Sequence, residues 1–253
     1  MTSVVVSDQL GLYVYLDLFG LGVNYISTYK MVILYGMIDT IIIAILSFSV
    51  ALLVGVISAL TNHLRYFRCV SYWPVFYTAF IRGMPDIVWV LLVYFLGQAF
   101  IGIFSAHIWL SPYIYGWVAL GILYGGYVCE IIHEALSKLD SSQVRDSISL
   151  GLTPWQALIT VTCPQIIGRA LPGINNVWQN IIKSTAVLSV IGVDNLVHSS
   201  DVAGKSSGHI FIFIFITMAI FLIITIISEL IFNYLENISW FGGGAHGSIF
   251  SGN

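Results

Sequence analysis

Residues 38–59 read IDTIIIAILSFSVALLVGVISA, a run from Ile38 to Ala59 in which Asp39 is the one charge. As a helix rising 1.5 Å per residue it is about 33 Å long, enough to cross the roughly 30 Å hydrocarbon core of a bilayer. A helix apolar on every side has no water-facing surface to offer, so this segment belongs in lipid. The rest of the chain has the same character. Its 253 residues are 58% hydrophobic with a mean hydropathy of +0.93 and only 8% charged, where soluble domains run at about 25% charged. That composition excludes an ordinary soluble globule and defines an integral membrane protein. At roughly 20 residues per crossing, the length admits five or six spans and no sizeable extramembrane domain.

Working outward, the first span reads from about Lys30 to Leu60 and is closed by the polar run Thr61 to Arg68. A second apolar region, Val70 to Leu110, is too long for one straight crossing and is interrupted by Gly83-Met84-Pro85. Proline breaks the helical ladder, which predicts a bent or interfacial lead-in up to Arg82 and a span from about Ile87 to Phe104. Pro112 opens a third span through the glycine-rich stretch Gly116 to Gly126, where small residues suit close helix packing in lipid. A polar segment, about residues 134–170, then holds Lys138, Arg145 and Arg169 beside Glu134, Asp140 and Asp146. Within it, Ser142 to Leu150 and Pro154 to Thr162 have the apolar spacing of two short amphipathic helices joined at Gly151-Leu152-Thr153. A fourth span is expected from about Leu171 to Ile191 and a fifth from about Ile210 to Tyr234. Gly242 to Gly247 reads as flexible linker.

Short loops kept on the cytoplasmic side are rich in Lys and Arg. Arg65, Arg68, Lys138, Arg145 and Arg169 fall on one side; Lys30 and Lys205 fall on the other, with Arg82 and Lys183 in or at the edge of spans. The bias predicts a cytoplasmic 134–170 loop, an extracytoplasmic amino-terminal segment (residues 1–29), a membrane domain (30–236) and a flexible cytoplasmic tail (237–253). Five spans satisfy that parity. Residues 1–29 hold no Lys or Arg, so the basic start of a signal peptide is missing and the amino end is expected to be retained. A net charge of −3 points to no nucleic-acid partner. Cys69, Cys129 and Cys163 are scattered, which argues against a disulfide framework or a zinc site.

Three formal matches to enzyme signatures fail on inspection. His133-Glu134-Ala135-Leu136-Ser137 lacks the second histidine of a zinc protease. Ala203-Gly204-Lys205-Ser206 resembles the end of a phosphate-binding loop, yet Ser199 stands where the first glycine belongs. Gly204 to Gly208 spells G-x-S-x-G without a preceding strand or a following Asp. A flexible linker with a helix start accounts for that last region.

More informative is a polar stripe in the fourth span. Asn176, Asn180, Lys183 and, one residue on, Ser184 recur at helical spacing, placing them on one face. A lysine at a helix centre costs about 2.5–3.5 kcal/mol on insertion scales, so it faces a bundle interior or a wet cavity. The stripe reads first as a hydrogen-bonded seam between helices and second as part of a solute path. Glu130, His133 and Glu134 share a face at the inner end of the third span, where the plain reading is a solvated exit from the membrane.

The polar segment is also recognisable as a motif. Glu134-Ala135-Leu136, then Ser142 through Pro154, Cys163-Pro164-Gln165 and Ala170-Leu171-Pro172 resemble the conserved cytoplasmic loop of binding-protein-dependent ABC importer permeases. The branch that imports polar amino acids, especially histidine and arginine permeases, is similar over roughly residues 32–236. It is similar at Gly36 to Thr40 with Gly55, Ile81-Arg82-Gly83-Met84-Pro85, Tyr127 to Glu130, Leu171 to Gln179, Lys183-Ser184-Thr185 and Ala203 to Ser206. Arg145-Asp146-Ser147 stands where the family usually has Glu-Ala-Ala, Cys163 where it has leucine, and His133 where it commonly has arginine.

The resemblance implies an all-helical type I importer permease with five transmembrane helices and short coupling helices, in a bacterial inner membrane. It implies that Gln143, Arg145, Asp146, Ser147, Gly151 and Leu152 meet the ATPase, and that Arg82, Glu130, Asn176, Asn180, Lys183, Ser184 and Thr185 are the candidate pathway or bundle residues. The expected partners are an ABC ATPase dimer carrying ATP and Mg, a second permease subunit, identical or related, a solute-binding protein, a polar or basic amino acid of the histidine, arginine, lysine and ornithine class, and membrane lipid. No cofactor or metal is expected in this chain, and no catalysis. The rival is an ion-coupled transporter or channel working without an ATPase through Asp39, Glu130 or Lys183; an inverted internal repeat would support it, and none is found.

Overall fold

The computed structural model describes residues 22–63, 73–104, 111–139 and 141–242. Most of the segment 1–29, the loop with Arg65 and Arg68, Asp140 and the stretch beyond Gly242 lie outside the described residues. In chain order the elements are α1 (Gly22–His63), α2 (Trp73–Arg82), α3 (Asp86–Phe104), α4 (Pro112–Ser137), α5 (Ser141–Ser149), α6 (Pro154–Ala157), α7 (Cys163–Ser184), α8 (Leu196–Ser207) and α9 (Ile210–Gly242). Five segments are long and apolar enough to cross a membrane: Thr28–Leu60, Asp86–Ile103, Pro112–Ser137, Pro154–Ile191 and Ile210–Ile238.

The bundle is built around α4, whose Ala119, Leu120, Leu123, Val128 and Cys129 are buried. Its glycines explain why. A Cβ at Gly121 would lie 2.6 Å from Val50 Cβ, and one at Gly55 would lie 2.5 Å from Val128 Cβ. The α1 and α4 backbones therefore approach closer than any larger residue permits, which maximises dispersion contact where lipid supplies no hydrophobic drive. Phe48 meets Trp178 edge-on at 5.2 Å, joining α1 to α7. The far sides of α1, α3 and α9 expose Leu53, Phe95, Phe211, Met218 and Leu230, a surface suited to lipid.

Three expectations need correction. Pro154 to Thr162 is not a separate short helix: α6 passes through a π-helical turn (Leu158–Thr162) directly into α7. That turn, in which Cys163 N–H donates to Leu158 O, sits beside Pro164 and absorbs the helical break that proline would otherwise impose. Second, residues 199–208 are not linker. Asn195 caps α8 by accepting from His198 N–H at 2.9 Å, and Gly208, at φ 79°, ends it. Leu196, Ala203 and Phe213 then pack with Ile33 in a small second core. Third, α9 continues beyond position 237 to Gly242, so the expected tail begins as helix, and α1 starts at Gly22, inside the expected amino-terminal segment.

Candidate functional site

Two regions gather the candidate residues. The first is the elbow between α5 and α6. At the end of α5, Leu152 N–H donates to Ser147 O (3.2 Å) and Gly151 N–H to Ile148 O (3.0 Å), with Gly151 at φ 97°. This is the paired-bond cap that favours glycine, because a Cβ resists the left-handed conformation. Thr153 then starts α6 with a capping box: its Oγ1 accepts from Gln156 N–H while Gln156 Oε1 accepts from Thr153 N–H (2.9 Å). Both ends of the elbow are thus fixed by capping bonds, backbone to backbone at Gly151 and side chain to backbone at Thr153. Gln165 Nε2 donates to Gln143 Oε1 (2.7 Å) and Arg169 donates to Lys138 O (2.6 Å), tying α5 and the end of α4 to α7. Ser147 is buried; Arg145, Asp146 and Gly151 are exposed and Leu152 is half-buried. Leu150 (86% exposed) and Trp155 (68%) stand out as an apolar knob.

The second region is a polar wall where α2, α3, α4 and α7 meet. Gly83-Met84-Pro85 separates α2 from α3, so Arg82 ends one helix and Asp86 begins the next. Arg82 Nη1 donates to both carboxylate oxygens of Glu130, 2.6 Å to Oε1, and its guanidinium lies 5.9 Å from the centre of the Tyr127 ring. The Tyr127 ring is 5.6 Å from that of Tyr124. Tyr124 Oη donates to Asp86 Oδ2 (2.9 Å), Ser184 Oγ donates to the same oxygen (2.7 Å), and the two hydroxyls are 2.7 Å apart. Ser184 is therefore buried against the half-buried Asp86 and does not share the face of Asn176, Asn180 and Lys183, which is exposed. Thr185, fully buried, donates to Ile182 O (2.6 Å) while its own carbonyl accepts from Asn195 (2.7 Å). Glu134 is exposed and pairs with Lys138 at 2.6 Å, as a solvated helix exit would.

The interhelical polar seam lies one residue away from the expected stripe. Asn175 Nδ2 and Gln179 Nε2 approach Glu229 Oε2 at 3.2 and 3.4 Å, and Gln179 also reaches Thr225 O. Asn175 and Gln179 are buried between α7 and α9. Glu229 carried a signal that could have found this seam, since it is the lone charge between Ile210 and Leu235 and an intramembrane carboxylate needs partners. Asp86, directly after Pro85, was signposted in the same way.

Residues 51–237 match the family described as binding-protein-dependent transport system inner membrane component. The histidine/lysine/arginine/ornithine transport system permease protein HisQ of Escherichia coli (strain K12) is 32% identical over 210 residues, 81% of this chain and 92% of that one. The nopaline transport system permease protein NocQ of Agrobacterium fabrum (strain C58 / ATCC 33970) is 27% identical over 77% of this chain and 85% of its own length. Among solved structures, an amino acid ABC transporter with histidines aligns with a TM-score of 0.72 at 26% identity, over 84% of this chain and 96% of that one. The inward-facing MetNI methionine ABC transporter, at 13% identity over 83% of this chain and 97% of that one, shares the fold with a TM-score of 0.64. The fold is that of a type I ABC importer permease. The chain belongs to the family of binding-protein-dependent transport system inner membrane components, among the permeases of polar amino acid importers.

Proposed function

We propose that this chain is one translocating half of an ATP-driven importer for a basic amino acid of the histidine, lysine, arginine and ornithine class. A solute-binding protein delivers the substrate from outside, a second permease chain, identical or related, completes the path, and ATP with Mg is bound and hydrolysed on a separate ATPase dimer. The amino terminus is outside and the carboxyl terminus cytoplasmic. The names of the relatives support the basic class.

The observation that carries this reading is the elbow. An exposed apolar knob, fixed at both ends by helix caps and continuous with the helical rod Pro154–Ile191, gives a soluble partner a rigid handle on a membrane span. Packed interfaces switch between discrete arrangements, so such a handle transmits rigid-body motion and drives alternating access. In this reading Gln143, Arg145, Asp146, Ser147, Gly151 and Leu152 form or shape the docking surface. Arg82, Glu130, Asn176, Asn180 and Lys183 line the path; Ser184 and Thr185 position its wall.

Gly151→Asp tests it. An L-residue in the left-handed conformation costs about 1–2 kcal/mol, and the new carboxylate falls beside the knob. The subunit is expected to insert but to lose the ATPase, or to hydrolyse ATP without uptake. Normal uptake by a stably inserted Gly151→Asp subunit overturns the coupling role.

A further inference from the structure

We propose that the Arg82–Glu130 pair reads the backbone of the transported amino acid: the substrate's α-carboxylate takes over Arg82, its α-ammonium takes over Glu130, and the internal pair closes again when the substrate leaves. This rests on the reading that the chain lines a path for free amino acids.

The pair sits towards the inner end of α4, one turn before the solvated exit at Glu134. Glu130 lies eighteen residues into α4, about 27 Å along a helix of about 39 Å. Yet the two side chains are 50% and 48% exposed. Charges in a membrane span do not face hydrocarbon, so the surface they occupy meets water, solute or a neighbouring chain in the assembled transporter.

Nor is the pair needed as a brace. Exposed ion pairs contribute about 0–1 kcal/mol, whereas two neutral bonds already hold α2 and α3 onto α4. Tyr77 Oη donates to Ile122 O, and Trp89 Nε1 donates to Ala119 O at 2.8 Å.

Its chemistry matches a zwitterion. The planar guanidinium fork suits a carboxylate, and the carboxylate accepts from an ammonium. Exchange breaks one ion pair and forms two, and the α-carboxylate and α-ammonium together add no net charge to the site. The Tyr127 ring keeps a cation–π contact with Arg82 when Glu130 turns away. Tyr127 is itself backed by Tyr124, which Asp86 and Ser184 hold in place, so one wall of the site is fixed while the pair opens.

The test uses the assembled transporter purified in detergent, without the solute-binding protein, and reads the melting shift on titration with L-arginine, L-histidine and L-glutamine. For each one that binds, its carboxamide and its N-acetyl derivative are titrated alongside. Both derivatives are expected to bind at least tenfold more weakly than the parent. Arg82→Gln is expected to erase the preference for acid over carboxamide, and Glu130→Gln the preference for free amine over N-acetyl. Arg82→Glu combined with Glu130→Arg is expected to keep the wild-type melting temperature without ligand and to leave amino acid binding lost. Overturning results are equal binding of acid and carboxamide, binding restored by the double exchange, or no shift with any of the three amino acids. A complex that binds glutamine and neither basic amino acid refutes the basic-substrate reading and leaves the pair's role standing.

Discussion

At the scale of single residues, the difference between a buried polar group and an exposed one decides which side chain braces the bundle and which meets solute. Asn175 and Gln179 reach Glu229 across the α7–α9 contact, whereas the exposed side chain of Lys183 makes no hydrogen bond or ion pair with another described residue. Lysine is too costly to leave in hydrocarbon, so its company is water, solute or a neighbouring chain. Lys183→Met keeps the length and removes the charge. It is expected to move the melting temperature of the complex by no more than about 2 °C, as a change outside the packed core does, while altering uptake rate or the ratio of basic to neutral substrates. A large fall in melting temperature with unchanged transport would return Lys183 to a bracing role. Gln179→Leu is expected to behave in the opposite way, because it leaves Glu229 with one donor fewer inside the α7–α9 seam and costs about 1–3 kcal/mol. A melting curve at wild-type temperature would remove the seam from the stability account. Helical periodicity could place Asn176 and Lys183 on one face, but it gives no sign of which face of a membrane helix turns inward. In lipid both faces are apolar apart from such marks, and the seam one residue away was missed for that reason.

At the scale of elements, α1 and α4 show how sequence becomes packing. Gly55 and Gly121 let the two backbones meet; at Gly102, on α3, a Cβ would find nothing within 4 Å. Gly55→Ala forces its methyl into Val128 and is expected to cost about 1–3 kcal/mol as an overpacked site, read as a lower melting temperature of the complex. Gly102→Ala is expected to leave it unchanged; equal effects at the two positions would break the argument. The long spans were legible in the sequence because an apolar run of that length has one physical solution in a bilayer. The elbow was legible too, since Gly151 and Thr153 are cap residues whose side chains, or lack of one, dictate where a helix stops and starts. Two elements were not. The join of α6 to α7 depends on a π-helical turn, and an i to i+5 shift leaves no mark in hydrophobic period. Helix α8 is short and polar on its outer side, so its apolar contacts with α1 and α9 are invisible until those helices are placed, although Asn195 and Gly208 offered cap signals at either end.

At the scale of the whole molecule, the proposed five spans put the two ends of the chain on opposite sides, and the uneven distribution of Lys and Arg is the ground for proposing which. The elbow and α8 lie at the two ends of the continuous rod Pro154–Ile191, about 57 Å long if read at 1.5 Å per residue, so they serve as markers for the two faces. Ser200 is a poor marker because it is buried, whereas Ser206 on α8 and Ser149 on α5 are exposed. Cys129 is buried, Cys163 is partly buried, and all three native cysteines can be replaced by alanine as background. In sealed right-side-out vesicles, Ser206→Cys is expected to react with a membrane-impermeant maleimide, and Ser149→Cys only after permeabilisation. The orientation matters to the mechanism: five of the nine Lys and Arg, namely Arg65, Arg68, Lys138, Arg145 and Arg169, fall on the elbow's side in the proposed topology, and only a cytoplasmic elbow can meet an ATPase that draws on cytoplasmic nucleotide. Labelling of Ser149→Cys in intact vesicles, or of both positions from one face, would overturn the five-span orientation and with it the docking role of Gly151, leaving the Arg82–Glu130 pair to be judged on its own binding data.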